Sequence, residues 1–147
     1  MARVLETQGK LDVAMAMHQK AFEIKVETLG ERHSSVATTY NNIAIVLETQ
    51  GKLDEAMAMN QKALEIYLET LGERHSSVAT TYNNMAGVLK TQGKLDEAMA
   101  MYQKALEIYL ETLGERHSRV ADTYHNMALV NKRLGDFKRA ETSCGII

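Results

Sequence analysis

The sequence says the same thing three times, at a fixed interval of 42 residues. The stretch "TLGERHSSVATTYNN" begins at Thr28 and again at Thr70, and "TLGERHSRVADTYHN" begins at Thr112. Cut at Thr7, Thr49 and Thr91, the chain gives units 7–48, 49–90 and 91–132, with no insertion or deletion between them. Units one and two differ at 8 of 42 positions, and units two and three at 6 of 42. A fixed period of this size means stacked supersecondary units, each too small to bury its own apolar face. The expectation is therefore one repeat array over 1–147, not an ordinary globular domain.

Each unit reads as two helices. Val78, Tyr82, Met85, Ala86 and Leu89 recur at helical spacing, as do Leu95, Ala98, Met99, Tyr102, Ala105, Leu106 and Tyr109. Gly93 and Gly114 stand where helices end. Asp96 and Glu97 suit a first helical turn, and Ser76 or Ser77 can cap the helix that follows. Nothing alternates with period two. The spacing predicts helix A over about Ser76–Gln92 and helix B over about Leu95–Leu113, with equivalents 42 residues either way and seven or more helices in all. Ala86, Ala98 and Ala105 allow close helix approach. The apolar residues of helix B cover more than one face, as expected if B touches its own A and the next.

Arrayed helix pairs with these residues resemble a known family. The pattern Tyr82, Met85, Ala86, Leu89, Gly93, Ala98, Tyr102 and Ala105 is similar to the tetratricopeptide repeat. The longer period and the stretches "TQGKLDEA" and "LGERHSSVA" resemble the kinesin light chain subtype, shared with nephrocystin-3-like proteins. That subtype usually has proline after the histidine, where this chain has Ser34, Ser76 and Ser118. The resemblance implies an all-α, right-handed α-solenoid of antiparallel helix pairs, working as a protein-interaction scaffold; a cytoplasmic address is expected from the single cysteine.

Composition narrows the partners. Seventeen basic against nineteen acidic residues leave a net charge of −2, too near neutral for nucleic acid or an acidic membrane surface as main partner. The apolar runs fall far short of the roughly 20 residues that span a bilayer, and "MARVLETQGK" is no secretory signal. Cys144 is the only cysteine, which fits a reducing compartment. No cofactor is expected, since no glycine-rich phosphate loop is present.

Repetition also argues against chemistry. His33, His75 and His117 form a ladder, but zinc ligands must converge to about 2.0–2.1 Å from one ion, and stacked helices lie about 8–10 Å apart. A role in fixing the B-to-A turn is the better reading. The "ERH" triplets occupy equivalent turns with no nucleophile joined to just one of them, so no catalytic residue, enzyme activity or metal site is expected. The "AMAM" methionines read as packing residues.

The resemblance implies that the A helices line a concave groove holding a peptide segment of a partner. The matching positions are Thr38, Asn41, Asn42 and Ile45, then Thr80, Asn83, Asn84, Gly87 and Lys90, then Asp122, His125, Asn126, Leu129, Lys132 and Arg133. Glu48, Thr49 and Thr91 extend the same face. Asparagine suits this role because its amide both donates and accepts. Lys90, Lys132 and Arg133 predict a basic end, with Glu6 and Glu48 toward the other. Met1–Gln8 matches only the last part of a helix A, and the chain from Phe137 onward matches only the opening of a helix B. The sequence thus reads as beginning and ending in mid-repeat, as either a fragment of a longer array or a recent tandem duplication with rough edges would. That raises a second expectation: homo-oligomers formed through exposed array ends.

Overall fold

The computed structural model describes the backbone of residues 2–145 and the side chains of 7–136, 138 and 139. Within these residues the chain is six helices and no strand: α1 (Ala2–Leu29), α2 (Ser34–Thr49), α3 (Leu53–Leu71), α4 (Ser76–Thr91), α5 (Leu95–Leu113) and α6 (Ser118–Gly145). The two complete A–B pairs, α2 with α3 and α4 with α5, pack most extensively. Each B helix also contacts the next A helix, α1 on α2, α3 on α4 and α5 on α6. The chain is thus an α-solenoid, and its B helices bury two faces as their broad apolar pattern requires.

Small residues set the spacing. Ala37, Ala63, Ala79, Ala86, Ala98 and Ala105 are all fully buried, so backbones approach closely at those points. Ile66, Tyr67, Ile108, Tyr109 and the valines Val36, Val78 and Val120 fill the space between in one continuous cluster. The methionines are mostly packing residues as expected. Met57, Met99, Met101 and Met127 border one core cluster, and Met15 and Met59 another. Met17 stands apart, 67% exposed.

Both turn types follow from local chemistry. After helix A, Gly51 and Gly93 take left-handed φ of 81° and 82°. The Lys52 N–H then reaches the Leu47 carbonyl at 2.8 Å, and the Gly51 N–H reaches the Glu48 carbonyl at 2.9 Å. Carbonyls that the helix end would orphan are satisfied in this way. After helix B, the histidine ladder does the capping. His33 Nδ1 accepts from the Ser35 N–H at 3.1 Å, His75 Nδ1 from Ser77 at 3.0 Å, and His117 Nδ1 from Arg119 at 3.1 Å. The expected serine cap is therefore corrected: Ser76 is the first helical residue, and the acceptor its helix needs comes from His75. A cap of this kind is worth about 1 kcal/mol.

The count of seven or more helices is also corrected to six among the described residues. The expected break at Gly9 does not occur, and neither does the one at Gly135. Neither glycine is left-handed, and α1 and α6 each run straight for 28 residues. The physical reason is packing. At Gly51 and Gly93 the turn lets Leu47 and Leu89 bury against the following B helix. Asn131 takes that position in α6 and is exposed. Where turning brings no burial, the helix keeps its own hydrogen bonds. Phe137 and Cys144 lie in α6, but their side chains fall outside the described residues.

Candidate functional site

Helices α2, α4 and α6 line up as successive A helices, with α2 touching α4 directly. Their shared outward face carries three rows, one residue per helix. Thr38, Thr80 and Asp122 form the first. Asn42, Asn84 and Asn126 form the second, each half-buried. Ile45, Gly87 and Leu129 form the third.

The structure divides the predicted residues into those that face outward and those spent on packing. Asn41 belongs to the second group. It is 7% exposed, and its amide donates to Thr81 Oγ1 across the α2–α4 seam at 3.0 Å. Asn41 is thus engaged with the next A helix, while Asn42 beside it is half-buried on the outward face. Asn83, at the same repeat position in α4, has its Oδ1 buried with no protein partner. His125 is the equivalent residue in α6 and is exposed.

The threonine row is tied down. Thr38 Oγ1 shares a 2.6 Å hydrogen bond with the Tyr67 hydroxyl, and Thr80 Oγ1 shares one of the same length with Tyr109. Arg119 also donates to Thr80 at 2.7 Å. These threonines position helix B more than they offer free hydroxyls. Asp122 has no tyrosine across from it among the described residues and is exposed.

The third row has the most distinctive shape. Ile45 is 49% exposed and Leu129 40% exposed. Between them, Gly87 leaves a notch: a Cβ built there meets one atom within 4 Å, Glu48 Oε1 at 3.6 Å. The apolar shoulders and the notch between them come from three different helices. Sequence reasoning placed Glu48 on this face but could not place it against Gly87. The available signal was the change from Glu48 to Lys90 and Lys132 at one repeat position.

Electrostatics add a pH dependence. Burial pushes the Glu48 carboxyl above the ordinary carboxylate range, and the nearby Lys90 ammonium opposes this. A carboxyl held above its unfolded value binds protons more readily in the folded state. Stability then falls as pH rises through that window. Glu48→Gln is expected to raise the melting temperature at pH 7, and the gain should vanish below about pH 4, where the wild-type group is neutral in both states. Melting curves across pH check this, and a gain that persists at about pH 3 would contradict it. Lys132 and Arg133 are exposed at the α6 end, with Arg133 Nη1 3.5 Å from the Lys90 carbonyl. Lys90 is half-buried near Glu48, so the basic character concentrates on α6. The side chain of Glu6, the other expected acidic residue, lies outside the described residues.

Among the described residues no three His, Cys, Asp or Glu side chains come together in a way that could hold a metal ion. No described helix is long and apolar enough to cross a membrane. Nothing described on the A-helix face pairs a nucleophile with a base. What it offers is shape, amide hydrogen bonding and a few charges.

Comparisons with known proteins agree with this architecture. The family model described as tetratricopeptide repeat matches residues 1–69 and 77–143. Among solved structures, BtubC (BKLC) from P. vanneervenii superposes with a TM-score of 0.78 at 29% identity, covering 96% of this chain and 56% of that one. A chain from Podosopora anserina, described as kinesin light chain with nearly identical TPR-like repeats, superposes with a TM-score of 0.76 at 22% identity. That match covers 95% of this chain and 66% of the other, and at its identity it speaks to fold alone. The chain thus spans less than two thirds of either structure. A comparison with curated proteins finds no match.

Proposed function

Because the chain belongs to the tetratricopeptide-repeat family, with repeats of the kinesin light chain type, we propose that it binds a peptide segment of a partner protein on its A-helix face. The fold is a general interaction scaffold without catalytic machinery, and we assign the chain no enzymatic step. One observation carries the reading: the outward row in which Gly87 interrupts Ile45 and Leu129. A mid-helix glycine costs about 1 kcal/mol relative to alanine. Here no neighbouring side chain or backbone fills the space it leaves, apart from the Glu48 carboxylate at its edge. An apolar side chain of an extended or short helical segment fits between the two aliphatic shoulders. The Asn42, Asn84 and Asn126 amides supply donors and acceptors for that segment's backbone. Lys132 and Arg133 favour an acidic residue at the segment's α6 end. Exposed charges of this kind steer and orient more than they hold. The single cysteine fits action in a reducing cytoplasm.

An unbiased peptide array identifies ligands, and a double variant tests where they bind. Losing a hydrogen-bond partner from a desolvated contact costs about 1–3 kcal/mol. Asn84→Ala with Asn126→Ala is therefore expected to weaken array-derived ligands by about tenfold or more, with helicity unchanged. Wild-type affinity in that variant would move the function to another surface.

A further inference from the structure

Each complete A–B pair is fastened by the same three contacts. Arg32 pairs with Glu69, and Arg74 with Glu111. The Lys62 ammonium stands 5.7 Å from the centroid of the Tyr40 ring, and Lys104 stands 5.5 Å from that of Tyr82. Thr38 bonds Tyr67, and Thr80 bonds Tyr109. Each contact joins helix A, or the turn before it, to the helix B that follows.

The two end helices hold the unmatched halves. Helix α6 is an A helix, and because it runs straight through Gly135 the described chain does not fold back over it. Its repeat positions carry Arg116, Tyr124 and Asp122, all exposed. Helix α1 is a B helix with no A helix of its own among the described residues. Its repeat positions carry Glu27, Lys20 and Lys25. The arginine–glutamate and tyrosine–lysine halves are unchanged from the internal pairs. The third pair has changed on both sides, from threonine with tyrosine to Asp122 with Lys25. Lys25 already donates to Thr39 Oγ1 at 3.0 Å and to the Ser35 carbonyl at 3.3 Å, and an ammonium has a third N–H.

The apolar parts match in the same way. Ile24 on α1 is 59% exposed, while its equivalents Ile66 and Ile108 are 2% and 3% exposed. Ala128 on α6 is exposed, while Ala44 and Ala86 at that position are buried. The internal pairs therefore show what covers each end: α3 and α5 cover the face that α6 leaves open, and α2 and α4 cover the face that α1 leaves open.

We propose that the chain assembles head to tail, with α6 of one molecule docking on α1 of a second copy as an antiparallel pair that continues the solenoid. The contact is heterologous, so it propagates instead of closing at a dimer. Asp122 and Lys25 make the junction distinct from the internal pairs by charge. This assembly does not rest on the peptide-binding reading, although Asp122 belongs to both surfaces, so association is measured without peptide.

Sedimentation of the 147-residue chain over a range of concentrations tests it. The wild-type chain is expected to grow beyond dimer as concentration rises. Asp122→Lys alone and Lys25→Asp alone each place like charges at the junction, and each should weaken association by roughly a hundredfold. Mixing the two variants restores both heterotypic junctions: position 122 of the first chain meets position 25 of the second with the charges reversed, and Asp122 of the second meets Lys25 of the first as in the wild type. The mixture should therefore grow beyond dimer in alternating order, while each variant alone stays largely dissociated. Circular dichroism on each variant verifies that the helices persist. A wild-type chain that stays monomeric overturns the proposal. So does association that survives in both single variants, or a mixture that behaves as its two components do.

Discussion

Tyr102→Ala is expected to lower the unfolding free energy by about 3–5 kcal/mol, the usual loss for a large aromatic removed from a packed core. Tyr102 is 2% exposed and sits among Ala86, Leu89, Leu95, Ala98 and Val130. Those alanines cannot move into the vacated space, so the cavity stays. The contrast is Asn60, the same position one unit earlier, which is 1% exposed with its Oδ1 lacking a protein partner. A buried amide whose oxygen has no partner already carries a desolvation penalty. Asn60→Ala is therefore expected to cost much less than Tyr102→Ala, despite equal burial. Urea denaturation of the two variants checks the difference, and equal losses would show that burial alone sets stability along the array. Because each unit is held by its neighbours, the Tyr102 lesion should also broaden the transition by uncoupling the α5–α6 end from the rest.

Gly87→Leu should separate stability from binding. Leucine is a strong helix former, and replacing a mid-helix glycine is worth about 0.5–1 kcal/mol. The new Cβ meets only Glu48 Oε1, at an ordinary contact distance of 3.6 Å, and unit three carries Leu129 at this position. The variant is thus expected to melt at a higher temperature than wild type. It should also lose most affinity for array-derived peptides, because its side chain occupies the notch their apolar residue needs. Calorimetric titration beside thermal melts reads both effects. Unchanged affinity would show that the notch is not where ligands seat. A lowered melting temperature would show that the glycine answers a packing constraint instead.

The site was only partly legible in sequence. Helical spacing and repeat position put Asn41 and Asn42 on neighbouring columns of one helix, but they could not tell which column faces another helix. The bond from Asn41 to Thr81 decides that, and it depends on how α2 and α4 cross. Thr38 likewise reads as a free polar residue until Tyr67, 29 positions away, is brought against it. Glu48 reads as one more charge on the face until it meets the bare edge of α4 at Gly87.

The 42-residue period, the helix pairs, their boundaries to within a residue or so, and the alanines of close approach were all determined by sequence alone. These depend on local periodicity and on glycine at turns, and both are visible without a partner. The cap was half legible: the histidine ladder was placed at the turn, but the acceptor role went to serine. Only the tertiary structure decided the ends. Gly9 and Gly135 occupy the same repeat position as Gly51 and Gly93, yet their helices run straight. A left-handed turn costs a helix its continuing hydrogen bonds, and it forms where folding back buries an apolar face such as that of Leu47 or Leu89. Where Asn131 stands in for leucine, that burial is missing and Gly135 stays helical.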